Sequence, residues 1–472
     1  MISKVYLIAI CTSLGGFTWG YDSGIIAGIL NVDSFKEMVG INPHNQADLS
    51  GNIASSLLIG SIPAVFVLSY MNDNLGRKKT ISISASVFLI GSIFQIFAWN
   101  LASVYIGRFV AGTGLAIMMV AIAMYNSEIA PTNIRGRLIG IQQIMVAGGI
   151  ALSYWINYFV AALQVQGELA FRLPLAIQVI PCLALLLGLS FVPESPRWLM
   201  SKARNPEALE ALKTIRDLDG NHPDLLTEAA EISKALDHHD KSQWIDVITK
   251  KNLHRLAVGI PLVVFQQFSG QNLINYFAPT MFENLGIQGR TADLFAAGFV
   301  GLVKMVMTLP GLWVIDTKGR RPLMLTGTAI MALAFLYIGI YSAYFQSTVL
   351  TIGGYFAILC IYIFMAAYTC SWGVMHYVIP SEIYPQELRA KSETVNSIFE
   401  MIFNILSVKI APLLIRDMPN GGVYFLYGGL LSFFFCWIFL QLPETKGVPL
   451  EEIDILFSSW KRWKPAQREP EP

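Results

Sequence analysis

The sequence predicts an all-α membrane protein of about twelve transmembrane helices, arranged as two related halves of six. Three observations predict this fold class: the composition, the recurrence of long apolar windows, and two motifs that occur twice. Of the 472 residues, 54% are hydrophobic and 14% are charged, whereas soluble domains carry about 25% charged residues. The chain is therefore predicted to be an integral membrane protein.

Apolar windows long enough to cross a bilayer recur along the whole chain, since one span needs roughly 20 apolar residues. The predicted spans are 5–30, 49–71, 80–99, 102–125, 138–161, 173–193, 254–282, 292–315, 323–345, 350–380, 391–415 and 421–442. They group into a six-helix bundle over 1–193 and a second bundle over 254–442, followed by a tail over 443–472. The polar linker 194–253 has apolar residues at helical spacing and predicts short amphipathic helices on the cytoplasmic surface.

Two loop motifs repeat in the same order in both halves. The pattern D-x-x-G-R-[KR] begins at Asp73 and again at Asp316, an offset of 243 residues (316 − 73). A glutamate followed seven residues later by an arginine occurs at 128–135 and at 382–389, an offset of 254 (382 − 128). Two motifs repeated at similar offsets indicate a duplicated six-helix unit, and such halves suit a rocking transporter with its site between them.

The distribution of lysine and arginine predicts the orientation, because cytoplasmic loops carry an excess of these residues. With both termini cytoplasmic, the short inner loops hold ten lysines and arginines and the outer loops hold four. The N-terminus has no cleavable signal peptide, since its apolar run continues to about Leu30 without a small-residue cleavage site.

The loop motifs predict charged side chains at a cytoplasmic gate. The candidates are Asp73, Arg77, Glu128 and Arg135 in the first half and Asp316, Arg320, Glu382 and Arg389 in the second. Ion pairs that bridge the two halves would close the inner side and break when it opens. The alternative is that these charges only reach for the membrane surface.

Asp22 lies in an apolar span that has no other charge between Lys4 and Asp33. Carboxylates inside a membrane are costly, and they mark ion pathways or pair with a base. The seventh span is also unusually polar, with Gln266, Gln267, Asn272, Asn275 and Tyr276 in a short stretch. Amides donate and accept hydrogen bonds, which suits a polyhydroxylated ligand, although one or two of them could instead join helices.

Nine stretches, taken together, resemble the sugar porter family of the major facilitator superfamily over nearly the whole chain. Three of them are the most specific: PESPRWL at 193–199, the double glutamine of FQQFSGQNLINYFAP at 265–279, and PETKG at 443–447. The others are at 20–24, 74–79, 107–109, 125–137, 316–321 and 381–389. The resemblance implies a transporter of the plasma membrane that works by alternating access on a monosaccharide, polyol or sugar acid.

The resemblance also implies residue roles. Arg108 matches the arginine that modulates the proton-binding acid of proton-coupled members, here Asp22, and this favours symport over passive facilitation, in which the pair would be structural. Gln143 and Asn404 match sugar-contacting positions, and Tyr377 stands where many members have a stacking tryptophan.

Two positions depart from the family pattern. Lys304 replaces the usual asparagine of the sugar site, and Glu400 stands where an amide is common. A buried lysine loses its proton or finds an anion, so two hypotheses stay open: Lys304 pairs with Glu400, or it receives a substrate carboxylate, as in a quinate-like or galacturonate-like acid. His376 is expected to be a hydrogen-bonded packing residue.

No metal-ligand cluster, phosphate loop or nucleophile with its base is present in the sequence, so no enzyme, cofactor or metal site is predicted. The expected partners are a small sugar or sugar acid, a proton and the lipid bilayer, with no nucleic acid, and the expected oligomeric state is a monomer. A non-transporting nutrient sensor on the same fold is the alternative from another class.

Overall fold

The computed structural model describes residues 2–131, 134–217, 223–237, 244–287, 289–345, 350–385 and 388–445, so the predicted tail beyond 445 lies outside the described residues. The described chain is helical and contains no β-strand. Ten of its helical segments are long and apolar enough to cross a membrane. The spans that contain Asp22 and the seventh-span amides are not among these ten.

In the described part of the first half, nine helices form six spans. They are α1 (Ile2–Ile29), α2 (Asp33–Val39), α3 (Gln46–Gly60), α4 (Ile62–Leu75), α5 (Arg77–Ile96), α6 (Leu101–Ile129), α7 (Arg135–Ala162), α8 (Leu169–Ile177) and α9 (Val179–Leu189). The helices α3 and α4 form one span, as do α8 and α9, while α2 is a short helix outside the spans.

Among the residues of the second half that the structure describes, eight helices form the other six spans. They are α13 (Lys250–Gln267), α14 (Gln271–Asn284), α15 (Arg290–Lys318), α16 (Arg320–Tyr344), α17 (Ile352–Cys370), α18 (Trp372–Ile383), α19 (Arg389–Asp417) and α20 (Gly422–Gln441). The seventh span is broken between α13 and α14, where Gly270 has a φ of 93°. The tenth is broken at Ser371, whose φ of −119° and ψ of −84° are not helical.

The linker folds into α10 (Pro196–Ser201), α11 (Asn205–Arg216), α12 (Pro223–Asp237) and a short 3₁₀ helix (Trp244–Ile248). Arg216 connects them to the first half: it is 2.5 Å from Glu228 on α12 and donates to the carbonyl of Ile129 at 2.9 Å. Lys4 on α1 donates to the exposed Asp217 at 2.5 Å, which holds the pKa of that carboxyl below its ordinary value.

A row of glycines lets α1 lie directly against α7. Gly16, Gly20, Gly24 and Gly28 recur every fourth residue, and a Cβ added at Gly20 would lie 1.9 Å from the carbonyl oxygen of Val146. Small residues at this spacing allow close approach of membrane helices, where packing rather than the hydrophobic effect holds them together. Asp22 lies between two of these glycines, so the close packing of α1 on α7 fixes the position of its backbone.

The two halves meet along α15 against α7, α3 against α19, and α14 against α1. Gly301 on α15 and Gly51 on α3 allow these approaches: added Cβ atoms would lie 2.6 Å from Ala151 and from the carbonyl oxygen of Lys409. Trp155 of α7 packs its ring against Phe295 and Phe299 of α15, at 5.7 and 5.8 Å between ring centroids.

Polar contacts between the halves lie on one side of the bundle. Arg416 pairs with Asp48 at 3.0 Å, and the Tyr154 hydroxyl donates to the carbonyl of Asn275. These residues lie toward the helix ends remote from Gly76 and Gly319. We call the end with these two glycines the motif side, and the described halves are joined on the opposite side.

Candidate functional site

On the motif side each half contains the same cluster of side chains. The N-terminal loop cluster consists of Gly76, Arg77, Glu128, Glu194 and Ser195. Arg77 Nη2 lies 2.7 Å from Glu128 Oε1, and the Ser195 hydroxyl donates to the other oxygen of Glu128. Glu194 accepts the backbone N–H groups of Arg77 and Lys78, each at 3.0 Å.

The C-terminal loop cluster consists of Gly319, Arg320, Glu382, Glu444 and Thr445. Arg320 Nη2 lies 2.7 Å from Glu382 Oε1, and the Thr445 hydroxyl donates to Glu382. Glu444 accepts the backbone N–H groups of Arg320 and Arg321 at 2.9 and 3.1 Å. The helix N-terminus that follows each glycine is therefore capped by a carboxylate from the end of its own half, as the helix dipole favours.

The gate pairs are predicted to bridge the halves when the inner side is closed, and that role stays a prediction. Within the described residues the ion pairs of Arg77 and Arg320 are each internal to one half. Asp73 is exposed and accepts from the Trp198 indole through its backbone carbonyl at 2.9 Å. Arg389 is half-buried at the start of α19 and is not the partner of Glu382. The side chains of Arg135 and Asp316 lie outside the described part of the chain.

Glu194 and Glu444 are functional candidates that the sequence analysis missed as individual residues. Each glutamate follows the last span of its half, in the sequence Pro-Glu-Ser in the first half and Pro-Glu-Thr in the second. The two glutamates are 250 residues apart (444 − 194). This third repeat is the signal that could have identified them.

Asp22 and Arg108 lie together in the core of the first half. Both side chains are 0% exposed, and Arg108 Nη1 is 4.0 Å from Asp22 Oδ2. Arg108 also donates to the carbonyl of Ile53 on α3 at 2.7 Å. Neither carboxylate oxygen of Asp22 has a hydrogen bond among the described residues. The predicted pair is therefore close. The Arg108 guanidinium is hydrogen-bonded to backbone carbonyls, and the Asp22 carboxylate accepts no hydrogen bond from the described residues.

Side-chain hydrogen bonds connect the amides of the seventh span to one another and to α19, beside the break between α13 and α14. Asn272 Nδ2 donates to Gln267 Oε1 at 3.0 Å and to Asn404 Oδ1 on α19 at 3.1 Å. Gln266 donates to the Tyr368 hydroxyl at 2.5 Å, a contact that the sequence did not suggest. The structure gives no partner, within its described residues, to the side-chain oxygens of Gln266 and Asn275.

The other predicted contacts are distributed around this amide group. Tyr276 is buried on α14 close to Ser23, beside the Asp22 region. Tyr377 is 47% exposed, and its hydroxyl donates to Glu400 Oε1 at 3.0 Å. Gln143 is half-buried on α7. Contact of these residues with a substrate stays a prediction.

Lys304 does not pair with Glu400 in this structure. Among the described residues no carboxylate lies within 4.0 Å of its ammonium group, and Glu400 instead contacts Tyr377 and His376. Lys304 follows Gly301, which packs on α7, and precedes Met305, which lies near Gly148 of α7. Lys304 therefore lies at the height along α15 where this helix contacts α7.

A cavity of about 500 Å³ lies elsewhere, between α3, α6 and α19. It is lined by Asn52, Ser55, Ser56, Ile59, Tyr105, Ile106, Phe109 and Lys409. Ile106 is more than half exposed on the outer surface, so this cavity opens sideways and is separate from the amide group.

Comparison with known proteins decides the family. Residues 8–457 match the sequence model of the family described as "Sugar (and other) transporter". This protein belongs to the sugar porter family of the major facilitator superfamily. It is a multi-pass membrane protein, and the predicted fold class of twelve helices in two six-helix halves is confirmed.

The curated relatives of this sugar porter are permeases and transporters. A probable quinate permease of Aspergillus niger is 33% identical, covering 98% of this chain and 89% of that protein. Sugar transport protein MST7 of Oryza sativa subsp. japonica is 30% identical, covering 98% and 94%. These names support transport and not an enzymatic activity.

The solved structures that it resembles include the proton:xylose symporter XylE bound to 6-bromo-6-deoxy-D-glucose. That likeness has a TM-score of 0.79 at 27% identity, covering 96% of this chain and 99% of the other. The inward-open conformation of XylE from E. coli gives a TM-score of 0.80 at the same identity, with 96% and 99% coverage.

Proposed function

We propose that this sugar porter is a proton-coupled symporter of a polyhydroxylated carboxylic acid of the quinate type. The observation that carries the coupling is the fully buried Asp22, whose carboxylate has no hydrogen-bond donor among the described residues. A carboxylate removed from water without such donors loses much of its solvation. It is therefore suited to gain and lose a proton during the transport cycle.

The position of Arg108 links that proton to the movement of the halves. Its guanidinium binds backbone carbonyls of α3, and α3 packs against α19 of the other half. Protonation of Asp22 removes one attraction on Arg108 and so alters how firmly α3 is held. Proton binding and substrate binding then influence each other through one equilibrium between two conformations.

The substrate class rests on Lys304 and the amides. Lys304 is a cation within α15 with no carboxylate of the described chain within 4.0 Å, and a substrate carboxylate would supply that anion. The free oxygens of Gln266 and Asn275 suit hydroxyl donors. The similarity to probable quinate permeases favours the same class of substrate. We take the motif side as cytoplasmic and the plasma membrane as the location, which makes this conformation inward-facing.

The test is uptake of quinate into proteoliposomes with an imposed inward pH gradient of one unit. Each coupled proton supplies about 1.4 kcal/mol per pH unit, or about tenfold accumulation. We expect Asp22→Asn, by removing one coupled proton, to lower accumulation about tenfold while retaining exchange of labelled for unlabelled substrate. The matched control is Asp33→Asn, the same change at an exposed carboxylate just after α1, which should accumulate as wild type does.

Passive facilitation is the competing function. The hydrogen bonds from Arg108 to backbone carbonyls support it, because they would also be present if Asp22 and Arg108 formed a purely structural pair. Uptake by the wild type that ignores the pH gradient would establish facilitation and reject symport. Accumulation that Asp22→Asn leaves unchanged would instead reject Asp22 as the residue that carries the proton.

A further inference from the structure

A second buried carboxylate lies in the second half, where α18 faces α19. Glu400 Oε1 accepts the Tyr377 hydroxyl at 3.0 Å and lies 3.8 Å from His376 Nε2. The side chains of His376 and Glu400 are 4% and 19% exposed. The expected packing role of His376 therefore leaves one of its ring nitrogens directed at a carboxylate.

The tautomer of His376 follows from its other contact. His376 Nδ1 lies 2.7 Å from the carbonyl oxygen of Trp372, and a carbonyl oxygen only accepts hydrogen bonds. Nδ1 therefore carries the hydrogen, and in the neutral ring Nε2 has a lone pair. That lone pair and Glu400 Oε1 are two acceptors facing one another, and one added proton on either atom makes the contact attractive.

The charged and titratable groups around this pair do not supply a competing cation. Glu393 lies two turns earlier on α19, where both Glu400 and Arg389 interact with it electrostatically. Tyr368 on α17 faces the pair and accepts from Gln266 of α13. Within the described chain, no lysine or arginine lies within 4.0 Å of Glu400, and this includes Lys304 on α15. Glu400 thus differs from Asp22, which has Arg108.

We propose that Glu400 and His376 hold a second transported proton, so that each half of the molecule binds one. This inference rests on the proposed function, in which Asp22 carries the first proton. In the outward-facing state the Glu400–His376 pair binds H⁺ from the outside. After the halves rock, it releases that H⁺ on the motif side together with the substrate. No covalent bond of the substrate changes.

The number of protons fixes the charge that moves with each substrate molecule. A quinate monoanion with two protons carries one net positive charge inward, and with one proton it carries none. The experiment is quinate uptake into proteoliposomes whose membrane potential is set with potassium and valinomycin, with charge and proton movement measured per quinate. We expect one charge and two protons for the wild type. For Glu400→Gln, which keeps an acceptor for Tyr377, we expect no charge and one proton.

The control is Glu393→Gln, the same exchange on the same helix, which should keep the wild-type ratios. Because a ratio per substrate molecule does not depend on how much protein is folded, a merely structural effect of Glu400→Gln would leave it unchanged. If only neutral sugars are carried, xylose replaces quinate, and the expected charges are two for the wild type and one for Glu400→Gln.

One coupled proton in the wild type, or unchanged ratios in Glu400→Gln, would overturn the second site. Either result leaves symport through Asp22 standing. Failure of the proposed function looks different, because uptake would then not respond to the pH gradient, and each quinate would carry one negative charge and no proton.

Discussion

Lys304 is the single residue on which the choice of substrate depends. It is a cation inside a membrane helix, where charges are rare and usually serve a pathway or a partner. Glu400, the partner that the sequence left open, is engaged by Tyr377 and His376 instead. A ligand carboxylate at Lys304 would therefore complete a charge-assisted contact that the described chain does not make by itself.

We predict that Lys304→Asn raises the KM for quinate about 10- to 100-fold, because hydrogen bonds to charged groups contribute about 1.5–3 kcal/mol. Transport of a neutral sugar such as xylose should be unimpaired, since asparagine is common at this position in relatives that carry sugars. Initial rates of uptake of both compounds in proteoliposomes provide the measurement.

Lys409→Asn is the matched control for this substitution. Lys409 is an exposed lysine of α19 that lines the sideways cavity, and its loss should leave the KM for quinate unchanged. A KM for quinate that stays the same in Lys304→Asn would remove the basis for a carboxylate substrate.

At the residue scale the sequence identified types of side chain better than their partners. Asp22 and Arg108 were expected to lie together, and they do, at 4.0 Å. The partner of Glu400 was not predictable, because rotations of α15, α18 and α19 about their axes decide which group it meets. Those rotations depend on packing over the whole bundle, which no local pattern encodes.

At the scale of elements, the turns between helices on the motif side are the most constrained features. Gly76 and Gly319 have φ values of 90° and 92°, which favour glycine. An added Cβ would also lie 2.5 Å from Glu194 at Gly76 and 2.8 Å from Glu444 at Gly319. The same carboxylate that caps each helix thus occupies the space where a side chain would begin.

We predict that Gly76→Ala and Gly319→Ala each destabilise the protein by about 1–3 kcal/mol, the usual cost of a strained backbone. Thermal unfolding in detergent should show a lower Tm for both. Gly429→Ala on α20 is the control, because an added Cβ there meets no atom within 4 Å. Equal Tm values for all three variants would contradict the prediction. They would show that Glu194 and Glu444 can move away from the added Cβ atoms without lowering the stability of the protein.

The elements themselves were largely predictable, and their breaks were not. The apolar windows identified twelve spans, but two of them, 254–282 and 350–380, were expected to be continuous. The structure divides these at Gly270 and Ser371. Pro261 lies inside α13, whereas α14 is kinked at Phe277, two residues before Pro279. The breaks are at a glycine and a serine, and neither was distinguishable in the sequence from the other glycines and serines of the spans. Hydropathy reports that a segment spans the membrane and is insensitive to one non-helical residue within it.

At the scale of the whole molecule, each loop cluster connects helices that belong to the same half. Because Arg77–Glu128 and Arg320–Glu382 are each within one half, a rocking motion can preserve both pairs. What must separate is the contact region on the opposite side, where Arg416 meets Asp48 and Tyr154 meets Asn275. The duplication in the sequence predicted the matching clusters. Ion pairs between the halves depend on the relative position of the halves, which local sequence patterns do not encode, and the bridging gate stays a prediction.

The aromatic contact at that interface gives the chain an optical reporter of its own. The indole of Trp155 rests against Phe295 and Phe299 of the other half, and opening of the opposite side would move it into water. We predict that saturating quinate at acidic pH shifts the tryptophan fluorescence of the wild type to longer wavelength. The shift should be largely absent in Trp155→Phe and retained in Trp99→Phe, whose side chain is exposed outside the interface. An undiminished shift in Trp155→Phe would mean that these rings stay together throughout the cycle. If they separate, the turnover of a colourless substrate becomes visible without any label.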